Sequence, residues 1–140
     1  DTELLALAAV YHDCCRTHDG VDTVHGSTSA EKFLNSNDGK YLDREYQSYV
    51  YNAIKYHSLD DEVGVEAIWK DKWIGERLRA IRIHDILKDA DALDRFRLGR
   101  PHSGGGTFEY KYLRRMESKQ LVLLAAYLIN MNIDKIILEN

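Results

Sequence analysis

A chain of 140 residues with 44% hydrophobic content is long enough to bury one sizeable core without disulfide staples. Its 19 basic and 23 acidic residues leave a formal net charge of -4, which excludes a broad basic face for nucleic acid. The longest apolar stretch, Leu121 to Ile129, is far shorter than the roughly 20 residues that cross a bilayer, so no membrane association is expected.

With one proline, little β-branched alternation and apolar residues spaced three and four apart, the chain reads as all-α, a single-domain helical bundle over residues 1–140. It opens at Asp1 without Met and passes at once into an apolar helix, as a piece cut from something longer would. The first helix is expected from Thr2 to Arg16, with Leu4, Leu5, Ala8, Val10 and Tyr11 forming a broad apolar surface suited to a central position, and with His12 and Asp13 on the last turn. Cys14 and Cys15 follow; adjacent cysteines pair only with strain and no third exists, so they read as reduced packing residues of a cytoplasmic protein.

A loop from Thr17 to Ser27 leads to a helix announced by Thr28 and Glu31, a capping-box spacing that places His25 just before the helix start. After an Asn37-Asp38-Gly39 turn, Leu42, Tyr46, Tyr49, Val50, Ala53, Ile54 and His57 share one helical face, and His57 ends that stripe. A short helical connector is expected over Trp69 to Ile74, then a helix over about Gly75 to Leu98. Asp91 and Asp94 share a face of that helix, whereas Asp89 points roughly 200° away from Asp91 and reads, like Asp94, as a partner for Lys88, Arg95 or Arg97. Arg100 to Gly106 reads as a flexible surface loop, and its glycines lack the Lys-Ser/Thr ending of a phosphate-binding loop. Leu113 to Asn130 and a short end helix complete the chain. His18, His84 and His102 default to the surface.

An adjacent His-Asp pair on a buried helix asks for compensation, because a carboxylate taken from water without a partner is costly and a cation is one of the few groups that offset it. His25, His57 and the Ala-Asp-Ala-Leu-Asp run follow in order. In the phrases Ala9-Val10-Tyr11-His12-Asp13, Tyr56-His57-Ser58 and Lys88-Asp89-Ala90-Asp91-Ala92-Leu93-Asp94-Arg95, the chain resembles the HD superfamily of metal-dependent phosphohydrolases over nearly its whole length.

That resemblance implies His12, Asp13 and Asp91 as ligands of a divalent metal, with His25 and His57 adding a second. One or two ions of Mn, Fe, Mg, Ni or Zn per chain suit such nitrogen and oxygen donors. The implied activity is attack of a metal-activated water on a nucleotide or other small phosphate ester, with Asp13 holding the nucleophile and Arg16 and Lys88 neutralising phosphoryl charge, ahead of Lys55 and Arg95. The other reading is a non-catalytic, metal- or nucleotide-binding regulatory module. The family's early histidine, carried on a preceding helix, has no counterpart upstream of His12. A looser similarity, in His12-Asp13-x-x-Arg16, Asp19-Gly20-x-Asp22 and Ser29-Ala30, is to the phosphodiesterase domains of bacterial effectors that act on phosphoribosyl-linked ubiquitin.

Overall fold

The computed structural model describes residues 1–18, 22–95 and 109–128; the expected glycine-rich loop with His102, the end of the helix past Arg95, and the end helix lie outside them. Among the described residues there are eight α-helices, one short 3-10 helix and no strand, so the protein is all-α. None of these helices is long and apolar enough to cross a membrane. The backbone divides into two compact units, Asp1–Leu87 and Lys88–Asn140, and helix α6 (Arg77–Asp94) carries residues of both.

In the first unit, α4 (Arg44–Tyr56) packs against α1 (Thr2–Tyr11), α2 (His25–Asn35) and α5 (Asp61–Lys70), while α2 also meets the short α3 (Asn37–Tyr41). The central position expected of α1 belongs to α4. Of the α1 side chains only Leu4 and Ala8 are buried, and Val10 is 71% exposed. Helix α4 buries Tyr49, Val50, Ala53 and Ile54 as its periodicity predicts, together with Ser48 and Asn52 on a further side. Asn52 is tolerated there because its amide donates to Ser48 O at 2.8 Å and to Asp71 Oδ2 at 3.0 Å. Phe33, Val50, Ala53, Ile54 and Ile83 form the fully buried centre of this unit's core. Burial on that scale stabilises by roughly 1.5–3 kcal/mol for each large side chain.

Several boundaries differ from expectation for identifiable reasons. Helix α1 stops at Tyr11, because the Cys15 N–H donates to Ser29 Oγ at 3.2 Å instead of continuing the helical ladder, and Cys14 N closes a tighter turn onto Tyr11 O at 3.1 Å. Cys14 itself is exposed rather than packed. Helix α2 begins at His25, three residues before the Thr28 cap read from sequence, because the Asp22 carboxylate accepts from the N–H groups of Val24 and His25. The Asn37-Asp38-Gly39 turn is the start of α3, whose cap is Ser36, accepting from Gly39 N at 3.0 Å. Helix α5, absent from the sequence reading, ends where the Trp69 to Ile74 connector was expected: Trp69 and Lys70 close α5 and the chain turns beyond Asp71. Its apolar pattern is blurred by Gly64 and by Val63, which is 43% exposed.

His84 is fully buried, contrary to its expected surface position, and neither of its ring nitrogens has a hydrogen-bond partner among the described residues. The ring lies against Gly64 so closely that a Cβ built there would stand 2.5 Å from Nε2 and 3.2 Å from Tyr56 Cβ. Gly64→Ala must therefore displace a packed ring, and it is expected to lower the unfolding free energy by about 1–3 kcal/mol. A urea transition with a lower midpoint and unchanged slope would register this, whereas an unmoved midpoint would contradict it.

The second unit has a smaller core of Ala92, Leu113, Val122 and Ala126. Here the expected last helix is broken into α7 (Met116–Gln120) and α8 (Val122–Leu128) around Leu121, whose N–H turns back to Ser118 O at 3.0 Å. Asp89 is also not the surface residue expected. It is 1% exposed and accepts from the backbone N–H groups of Arg114 and Arg115, each at 2.9 Å, and from Arg114 Nη1 at 3.3 Å. These donors immediately precede α7 and compensate the buried carboxylate, which explains how Asp89 leaves the surface.

Candidate metal centre

Two helix C-termini and one N-terminus supply the side chains of the site. His12 is the C-cap of α1 and His57 the C-cap of α4, while His25 is the first residue of α2. The partial negative charge at the ends of α1 and α4 favours a cation beside both imidazoles. Asp13 lies in the turn just past α1, not on the helix itself, and the Arg16 N–H donating to Asp13 O at 2.9 Å holds that turn. Gly26 permits the close approach of α2 to α4: a Cβ there would sit 2.7 Å from Lys55 O and 3.1 Å from Ile54 O.

One ligand atom each from His12, Asp13 and His57 falls within 4.8 Å of the others, a spacing that can hold a metal ion. Asp13 Oδ1 stands 3.0 Å from His25 Nε2 and 3.3 Å from His57 Nε2, and Oδ2 stands 3.8 Å from His12 Nε2. The two buried imidazoles face each other, with 3.0 Å between their Nε2 atoms. The His25 and His57 side chains are almost fully buried, whereas those of His12 and Asp13 keep 21% and 26% of their surface exposed, which leaves an open side.

The tautomers follow from the second nitrogens. His57 Nδ1 lies 2.7 Å from Ile54 O and His12 Nδ1 lies 2.8 Å from Ala9 O, so each carries a proton on Nδ1 and turns its Nε2 toward Asp13. His25 Nδ1 lies 3.5 Å from the Asp22 carboxylate. If that nitrogen is protonated and His57 is neutral, the Nε2 lone pairs of His25 and His57 and the Asp13 Oδ1 converge with no donor among them. If Nε2 is protonated instead, the Nδ1 lone pair confronts a carboxylate. Asp13 Oδ1 and His25 Nδ1 are indeed buried without a hydrogen-bond partner. Only an added cation, metal or proton, relieves both confrontations at once.

Burial pushes the Asp13 carboxyl up, but the approach of His57 and the charges of His12 and Arg16 outweigh it and hold the group well below the usual carboxylate range. Arg16 Nη1 donates to Asp13 Oδ2 at 3.2 Å and Nε to His18 O at 2.9 Å, which fixes a guanidinium at the rim of the site. His18 is exposed, as expected. Cys14 and Cys15 are unpaired thiols with their sulfurs 3.9 Å apart.

Of the residues singled out from sequence, His12, Asp13, Arg16, His25 and His57 come together in the first unit. Lys88 and Asp91 belong to the second unit, where Lys88 is buried and Asp91 Oδ2 stands 3.7 Å from Arg95 Nη2. Sequence reasoning missed the groups that orient the ligands. The carbonyls of Ala9 and Ile54 carry no side-chain signal, whereas Asp22, three residues before His25, was legible in principle as a cap. No family model matches the chain, and no curated protein or solved structure matches it.

Proposed function

We propose that the chain is a metal-dependent phosphohydrolase of HD type, acting on a small phosphate ester such as a nucleotide. The observation that carries this reading is the convergence of His25 and His57 Nε2 on Asp13 Oδ1, a buried oxygen with no hydrogen-bond partner, with His12 beside Oδ2. Such a nitrogen and oxygen set fits Mn, Fe, Ni or Zn better than a purely oxygen-liganded ion, and one or two ions fit the number of donors. A divalent cation held there supplies the Lewis acidity that makes water nucleophilic near neutral pH.

The chain's own residues supply the rest. The buried His25 and His57 form a water-poor floor, and the half-exposed side of His12 and Asp13 is where an ester enters. The Asp13 carboxylate, kept ionised, orients the attacking water. The Arg16 guanidinium at the rim faces charge that develops on the phosphoryl oxygens. Two reduced thiols fit a cytoplasmic setting.

Hydrolysis of p-nitrophenyl phosphate and bis(p-nitrophenyl) phosphate tests the reading. Turnover that EDTA removes and Mn or Ni restores supports it, and EDTA-insensitive turnover contradicts it. Tight metal binding without turnover of any nucleotide or small ester would assign the chain to the regulatory alternative.

A further inference from the structure

We propose that Asp22 is a positioning residue that fixes the tautomer and direction of His25, and so makes its Nε2 a metal ligand. The proposal rests on the metal-centre reading above and adds to it the means by which the third imidazole is held.

All three imidazoles of the centre are oriented from the residue three positions earlier. His12 Nδ1 meets Ala9 O, and His57 Nδ1 meets Ile54 O, each carbonyl being provided by the last turn of the helix the histidine ends. His25 begins its helix instead, so no helical turn precedes it and no helical carbonyl exists at that offset. The residue at the same offset is Asp22, and its side chain stands nearest the carbonyl's place, with Oδ1 at 3.5 Å from His25 Nδ1, an ion-pair distance rather than a hydrogen bond. That oxygen is itself held by two backbone donors, Val24 N at 2.9 Å and His25 N at 3.0 Å. The His25 ring therefore has the Asp22 carboxylate behind it and Asp13 and His57 in front, in surroundings that expose only 2% of its side chain.

The two backbone N–H groups fix the Asp22 carboxylate where it faces His25 Nδ1. A carboxylate behind a metal-bound imidazole sets the tautomer and raises the basicity of the ligating nitrogen, and its loss ordinarily costs about 10–100-fold in metal affinity.

Capping and positioning are separable because asparagine caps a helix as well as aspartate does but carries no charge. Asp22→Asn is expected to keep the wild-type thermal transition while weakening Mn2+ affinity, read by titration calorimetry, by about 10–100-fold. Asp22→Ala is expected to lose affinity and lower the transition as well. In metal-free protein, imidazole nitrogen NMR is expected to show His25 protonated on Nδ1 in the wild type and a shift toward Nε2 in Asp22→Asn. Wild-type affinity and an unchanged His25 tautomer in Asp22→Asn would overturn the proposal. So would a fall in thermal stability in Asp22→Asn equal to that of Asp22→Ala, which would make Asp22 a cap alone. A wild-type protein without Mn2+ affinity would instead sink the metal reading, and the tautomer measurement would still decide the role of Asp22.

Discussion

Replacing Asp13 with asparagine is expected to reduce Mn2+ affinity by on the order of 100-fold or more, at or beyond the upper end of what loss of an outer partner costs. Phosphoesterase turnover should fall with it. Asp13 is the one group that meets all three imidazoles and Arg16: Oδ1 faces His25 and His57, and Oδ2 faces His12 and Arg16. An amide offers a single acceptor oxygen, no charge and two N–H donors. Those donors would enter the cluster of bare imidazole nitrogens and satisfy them, so the metal-free variant should be at least as stable to heat as the wild type. This combination separates a ligand from a structural carboxylate. A variant that keeps wild-type affinity contradicts ligation, and one that loses metal only because it unfolds assigns Asp13 to the fold.

Metal affinity is also expected to fall steeply with acid. Imidazole ligands must be neutral, so protons and metal compete for the same Nε2 lone pairs of His12, His25 and His57. Each proton displaced costs roughly tenfold in apparent affinity per pH unit, so three imidazole ligands together cost up to about 1,000-fold per unit. Asp13 adds nothing to the slope between pH 5 and 8, since its carboxyl titrates far below that window. Calorimetric Mn2+ titrations at several pH values give the slope directly, and affinity that stays constant between pH 5.5 and 7.5 would contradict imidazole ligation.

The helical class was legible in the sequence from spacing, and the residues that cluster, His12, Asp13, Arg16, His25 and His57, from the order of the motifs, which also added Asp91 and Lys88 of the second unit. Tyr49, Val50, Ala53 and Ile54 bury the face their period predicts, and His57 ends it at the site. What spacing could not reach was decided by partners distant in sequence. The Ser29 hydroxyl, fourteen residues away, ends α1 early and frees Asp13 from the helix. The donors of Arg114 and Arg115 draw Asp89 out of solvent. Helix α5 was missed because Gly64, which weakens helical propensity, sits there to admit the His84 ring, and that packing is visible only in three dimensions. The start of α2 was misplaced because the Thr28 and Glu31 spacing reads as a capping box, whereas the Asp22 carboxylate, ahead of the Val24 N-cap, accepts from the backbone N–H groups of Val24 and His25.

Equilibrium dialysis against Mn2+ at pH 7.5, followed by elemental analysis of wild type beside Asp13→Asn, tests the metal centre most directly. At least about one ion per wild-type chain and less than about a tenth in the variant is the predicted result. Equal metal content in the two proteins, whether high or low, would contradict the assignment of His12, Asp13, His25 and His57 as a metal centre.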